Sequence, residues 1–238
     1  MGSERHLVLA QLRDEIRRIE RRPARREGFV ASGLADVDVA LPGGGFPRGA
    51  LAELAGGPAS GKTAVVLAVF AALGPRDLAA YVDGRGELYP PAAAARGVDL
   101  ARLLVVRPLC GGVREASLVG EASVRGTARG AGGAADAARA GLWAAEALLA
   151  SGAFAAVAID VAIPRALRGA DAVARRLQAA AEKGGAVGLW LGGANGLRVP
   201  AAVRVELAAD GDRIVARRAA PGSLDGPGTS AGGRGRVA

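Results

Sequence analysis

The sequence is short of the residues that do redox and zinc chemistry. Its 238 residues hold one cysteine, Cys110, and one histidine, His6. A lone cysteine closes no internal disulfide, and with a single histidine there is no His/Cys cluster for a structural zinc. No uninterrupted apolar run reaches the ~18 residues of a membrane span. The first segment carries charge where a secretory signal would be apolar, so the expectation is a cytoplasmic protein without membrane contact. Lysine is nearly missing too: 29 of the 31 basic residues are arginine, the exceptions being Lys62 and Lys183. A lysine here therefore stands out, whereas stretches rich in Ala, Arg and Gly reflect a compositional bias.

What is present is a large apolar fraction, 50% of the chain, enough for one sizeable core with short appendages. The net charge of +8 points toward an acidic partner such as nucleic acid, but its distribution is uneven. Residues 1–28 hold eight Arg against five acids, and residues 213–238 hold five Arg against one, leaving +1 for the middle. Basic ends could touch DNA weakly and without sequence preference. The chain divides into an N-terminal helix with a basic linker (1–28), an α/β domain (29–218) and a basic tail expected to be disordered (219–238).

Within 4–22, Leu9, Leu12, Ile16 and Ile19 recur at helical spacing, so one face is apolar and the other arginine-rich. Such a helix can pack on its own domain or dock on a neighbour. Further on, apolar runs alternate with helical segments. Strands are expected at 51–54, 79–83, 103–106, 155–160 and 186–191, and helices at 64–73, 92–96, 134–149 and 170–183. That alternation gives a parallel sheet covered by helices. Residues 202–208 and 213–217 read as a hairpin around Asp210-Gly211. The stretch 111–133 reads mostly as an irregular insertion. Trp143 and Trp190 lie in apolar segments and read as core packing rather than base-stacking platforms.

Between the first of these strands and its helix lies Gly56-Gly57-Pro58-Ala59-Ser60-Gly61-Lys62-Thr63. In G-x-x-x-x-G-K-T, small residues let successive backbone amides turn inward around phosphates, and the next helix presents its positive end. Lys62 supplies charge to the terminal phosphates of ATP or another nucleoside triphosphate, and Thr63 offers a hydroxyl to Mg2+. Glycine abundance does not account for a Lys-Thr pair in a chain that otherwise chooses arginine. A second expected part is an acid ending a buried strand, to hold Mg2+ through water. Asp160 fits, with Asp83 as runner-up.

The run Leu41-Pro42-Gly43-Gly44-Gly45-Phe46-Pro47-Arg48-Gly49-Ala50-Leu51-Ala52-Glu53-Leu54 ahead of the loop resembles the start of RecA-type recombinase cores. Tyr81-Val82-Asp83, Leu88-Tyr89-Pro90, Arg96-Gly97-Val98-Asp99-Leu100 and Ser151-Gly152-Ala153 extend the resemblance over roughly 29–218. It implies a RecA-like P-loop core, and places Tyr89 near the adenine ring. Where that pattern has a water-positioning acid, two residues past the strand-ending Asp83, this chain has Arg85. Glu87 is the weak substitute for a catalytic role. Gly193 stands where the pattern has a phosphate-sensing glutamine, and the connections after Asp160 and after Gly193 are too short for the recombinase's DNA loops.

With trimmed DNA loops, an amphipathic N-terminal helix and a basic tail, the chain is similar to the ImuA family of the SOS mutagenesis cassette. That resemblance implies an accessory role in error-prone translesion synthesis, beside an ImuB-like protein and a specialised DNA polymerase. RecA itself is a further expected partner, through docking of Leu9, Leu12, Ile16 and Ile19. A working DNA-dependent ATPase in recombinational repair is the alternative.

Overall fold

The computed structural model describes residues 28–108, 116–118, 133–164, 170–192, 201–211 and 213–219. The helix expected at 4–22 with its four apolar residues, Cys110, Gly193 and the basic tail after Ala219 lie outside the described residues.

In chain order the elements are β1 (Phe29–Val30), α1 (Ala35–Ala40), β2 (Phe46–Pro47), β3 (Ala50–Ala55), α2 (Lys62–Ala71), β4 (Leu78–Asp83), α3 (Pro90–Ala95) and β5 (Leu103–Val106). They continue with β6 (Ala116–Leu118), α4 (Gly133–Ala150), β7 (Phe154–Asp160), α5 (Ala170–Gly184), β8 (Val187–Leu191), β9 (Val203–Asp210) and β10 (Arg213–Ala219). Eight strands form one sheet in the order β10-β9-β3-β8-β7-β4-β5-β6. Neighbours from β9 to β5 run parallel, and only the edge pairs β10/β9 and β5/β6 are antiparallel. The fold is therefore α/β with a mostly parallel central sheet flanked by helices, as the alternating pattern predicts.

The inner strands are apolar throughout because both faces of the sheet are covered. Side chains alternate between two cores with the period of two that a strand imposes. Ala52, Leu54, Tyr81, Ala156 and Ala158 face one side, with Val65, Val66, Val69 and Phe70 of α2. Leu51, Ala80, Val82, Val157 and Ile159 face the other, with Leu142 and Leu149 of α4 and Leu177 of α5. On the α2 side Ala52, Ala79, Ala156 and Ala158 lie among larger strand residues such as Leu54, Tyr81 and Leu189, and the branched and aromatic residues of the helix pack against this mixed surface.

Two expectations change. Ala116–Leu118, inside the stretch read as irregular, is a strand paired with β5. Three residues carry no readable period, and the pairing comes from the open edge of β5. Trp143 is 61% exposed, not core, while Trp190 is buried. The buried stripe of α4 runs through Ala138, Leu142, Ala145 and Leu149, and Trp143 sits one residue, about 100°, off that stripe.

Candidate nucleotide-binding site

β3, β7 and β4 end at a cleft of about 780 Å³, lined by residues 56–64 on one side and Arg85, Glu87, Tyr89, Arg96 and Asp160 on the other. Clefts at the carboxyl ends of parallel strands are where ligands bind in open α/β sheets. One strand, β8, separates the loop-bearing β3 from β7. In register across the β4/β7 pair, Asp83 stands directly beside Asp160.

The loop leaves β3 through Gly56 and enters α2 at Lys62. Gly56 has φ 153°, and a Cβ there would lie 2.5 Å from Ser60 Oγ and 2.6 Å from the Leu207 carbonyl oxygen. Gly61 has φ 90° and caps α2 without a side chain, with Ile214 of β10 packed against the space its Cβ would need. Ala59, at φ 56°, is the non-glycine with positive φ among the described residues. The loop thus needs left-handed or crowded backbone at several points, which is the geometry that lets amides converge on an anion.

Lys62 Nζ donates to the carbonyl oxygens of Gly56 at 2.8 Å and Gly57 at 2.6 Å, and to Ser60 Oγ at 3.1 Å. Burial pushes its pKa down, and the nearby Arg85 charge pushes the same way, opposed by Asp160. A partly desolvated ammonium resting on neutral oxygens is a cation that an incoming phosphate would stabilise. The glycine cradle and this lysine fit a nucleotide phosphate. Tyr89, 66% exposed on the cleft wall, offers a ring at the mouth.

The opposite wall is built differently. Asp160, 5% exposed, accepts a hydrogen bond from Tyr81 OH at 3.1 Å on one oxygen and from Arg85 Nε at 2.8 Å on the other. Burial raises the Asp160 pKa, and the Arg85 charge works against that rise. Burial, reinforced by the Asp160 charge, likewise raises the Tyr81 phenol. A magnesium ion held through Asp160 would meet the guanidinium already on that carboxylate. Among the described residues, no three His, Cys, Asp or Glu side chains are grouped to hold a metal. Thr63 is exposed at the start of α2, but the carboxylate half of the expected Thr63/Asp160 metal site is spoken for, and the residues present do not fit Mg2+ held in that way.

Asp83 is not on the cleft wall. It accepts from the backbone amides of Glu87 at 3.0 Å and Leu88 at 3.3 Å and from Arg107 Nε at 2.9 Å. Arg107 also donates to the Leu88 carbonyl at 2.9 Å. Asp83 therefore clamps the 84–88 turn and is no free metal ligand. Glu87 reaches the cleft as an exposed side chain. Sequence reasoning missed Tyr81, Arg107 and Arg96, and treated Arg85 only as a missing acid. Tyr81 shares a face of β4 with Asp83, as residues two apart on a strand do, but its bond to Asp160 follows from the β4/β7 register, which the sequence does not give.

Residues 13–125 match the RecA N-terminal domain. Protein RecA of Salinispora arenicola (strain CNS-205) is 41% identical over 108 residues, which is 43% of this chain and 31% of that protein. Protein RecA of Streptococcus pyogenes serotype M49 is 37% identical over 94 residues, 39% of this chain and 25% of that protein. The chain spans less than a third of the length of these curated relatives. Over residues 13–125, just under half of the chain, the protein is similar to the RecA N-terminal domain, and the sheet and loop that house the cleft agree with a RecA-like core.

Proposed function

We propose that this protein is a RecA-like accessory factor of SOS-induced, error-prone translesion DNA synthesis, similar to the ImuA family. It binds ATP or another nucleoside triphosphate as a structural or switching ligand. It works through contacts with an ImuB-like protein, a specialised DNA polymerase and RecA, whose recombination it limits. One observation carries the reading: a complete phosphate loop faces a wall on which Arg85 is bonded to Asp160. A guanidinium stays protonated and cannot take a proton from water, so the cleft keeps the means to hold phosphate without an evident base. Glu87 lies two positions further on, a displacement of several ångströms that spoils catalytic placement.

Protein contact as the mode of action is supported by the apolar stripe Leu9, Leu12, Ile16 and Ile19 and by the short connections 161–169 and 192–202. The test has two arms. ATP turnover with single-stranded DNA is expected to be absent or very slow while nucleotide binding is retained. Turnover that Lys62→Ala abolishes would instead establish the DNA-dependent ATPase. In the second arm, the full chain is expected to retain RecA or the ImuB-like protein in a pull-down. Equal retention by a chain starting at Gly28 would refute docking through the helix.

A further inference from the structure

We propose that Arg85 takes the charge-neutralising place of a divalent cation, so that the cleft binds a nucleoside triphosphate without metal. This rests on the nucleotide reading of the cleft and departs from the Mg2+ requirement expected of Thr63 and Asp160.

Two carboxylates, Asp83 and Asp160, stand side by side at the ends of β4 and β7. Magnesium sites of this kind use one or two such groups together with substrate phosphates. Here each carboxylate has its own arginine, Arg107 at 2.9 Å and Arg85 at 2.8 Å, so the strand ends present no net negative charge to a metal. A divalent ion would have to displace a guanidinium from a nearly buried carboxylate and then sit beside the displaced charge. Arg85 is also reachable from the cleft, with 40% of its side chain exposed and its residue on the wall facing the loop. Lys62 lies close enough to feel it, since the Arg85 charge helps to lower the lysine pKa. Three cations, Lys62, Arg85 and Arg96, thus face one cavity against two carboxylates, Glu87 and Asp160. The metal-free triphosphate, more negative than its magnesium complex, is the better match for that field, and a guanidinium fork suits phosphate oxygens.

The measurement is a fluorescence titration of the full chain with N-methylanthraniloyl-ATP, in excess EDTA and in millimolar MgCl2. Wild-type affinity is expected to be equal or tighter in EDTA. Arg85→Lys should keep that behaviour. Arg85→Ala should weaken binding in EDTA by about tenfold, and Arg85→Glu should make binding depend on Mg2+, because a charge-assisted contact is lost or reversed. Melting of the ligand-free variants shows that each is folded; should Arg85→Glu not fold, the alanine variant carries the test. Wild-type binding that weakens about tenfold or more in EDTA overturns the proposal and leaves the nucleotide reading intact. An unchanged metal response in both Arg85→Ala and Arg85→Glu also overturns it. Absence of wild-type binding in both buffers overturns the nucleotide reading and this proposal with it.

Discussion

The two walls of the cleft are built in opposite ways. On the β3 side, backbone geometry does the work: Gly56, Ala59 and Gly61 adopt conformations or contacts that ordinary residues resist, and Lys62 folds back over the loop. On the β4/β7 side the work is done by side chains: Asp160 on the wall is matched to Arg85 and its neighbour Asp83 to Arg107, while Glu87 stands exposed. A binding wall kept whole beside a neutralised acidic wall indicates that holding an anion and hydrolysing it are separable tasks. The first needs shaped amides and a cation. The second also needs a base, and the group bonded to Asp160 is Arg85, which takes no proton from water.

The comparison breaks most visibly if the backbone wall is less demanding than its geometry indicates. Gly56→Ala would place a Cβ against the Leu207 carbonyl oxygen at 2.6 Å and force φ 153° on an alanine. The expected cost is about 3 kcal/mol or more, enough to unfold a marginal domain. Urea unfolding measures it, and a loss below about 1 kcal/mol would mean that the β3–α2 turn relaxes freely. Lys62→Ala comes next. It leaves the fold in place, because the lysine contacts only loop oxygens, but removes a charge-assisted contact worth about 2–3 kcal/mol, so affinity for N-methylanthraniloyl-ATP should fall roughly 30- to 150-fold. An unchanged affinity would move the binding function to the other wall.

The backbone wall was legible in the sequence because its chemistry is local. Eight consecutive residues, flanked by a strand and a helix, fix the loop, and Lys62 stands out against an arginine background. Strand existence and order of type were legible for the same reason, as continuous apolar runs of the right length. The side-chain wall was not, because it is assembled across the sheet. That Arg85 would reach Asp160, 75 positions away, or that Tyr81 would donate to the same carboxylate, depends on the β4/β7 register. No local pattern encodes that register. Ile214 against Gly61 is a further case, since it follows from the β9–β10 hairpin folding over the loop. The exposed Trp143 shows a different limit: composition alone places a tryptophan inside, whereas helix phase places it outside.

The smallest effect probes the side-chain wall itself. Burial raises the pKa of Asp160 in the fold, even with Arg85 beside it. A carboxyl group whose folded pKa exceeds its unfolded value favours the native state while protonated. That contribution is complete below the unfolded value, near ~4, and is lost as pH rises through the folded value. At neutral pH the ionised Asp160 is therefore a cost to the fold. Asp160→Asn keeps the shape and the partners: its oxygen can accept from Arg85 Nε and its amide nitrogen can donate to the Tyr81 oxygen. The variant should be more stable than the wild type at pH 7 by about 0.5–1 kcal/mol, the usual yield of relieving such a compromise. The gap should narrow as pH is lowered toward the ordinary carboxylate range, because the wild-type side chain then becomes neutral as well. Thermal melts of both proteins across that range measure it. A variant less stable at neutral pH would show that the Arg85 ion pair outweighs the desolvation of Asp160, and the acidic wall would then be a source of stability and not a retained cost.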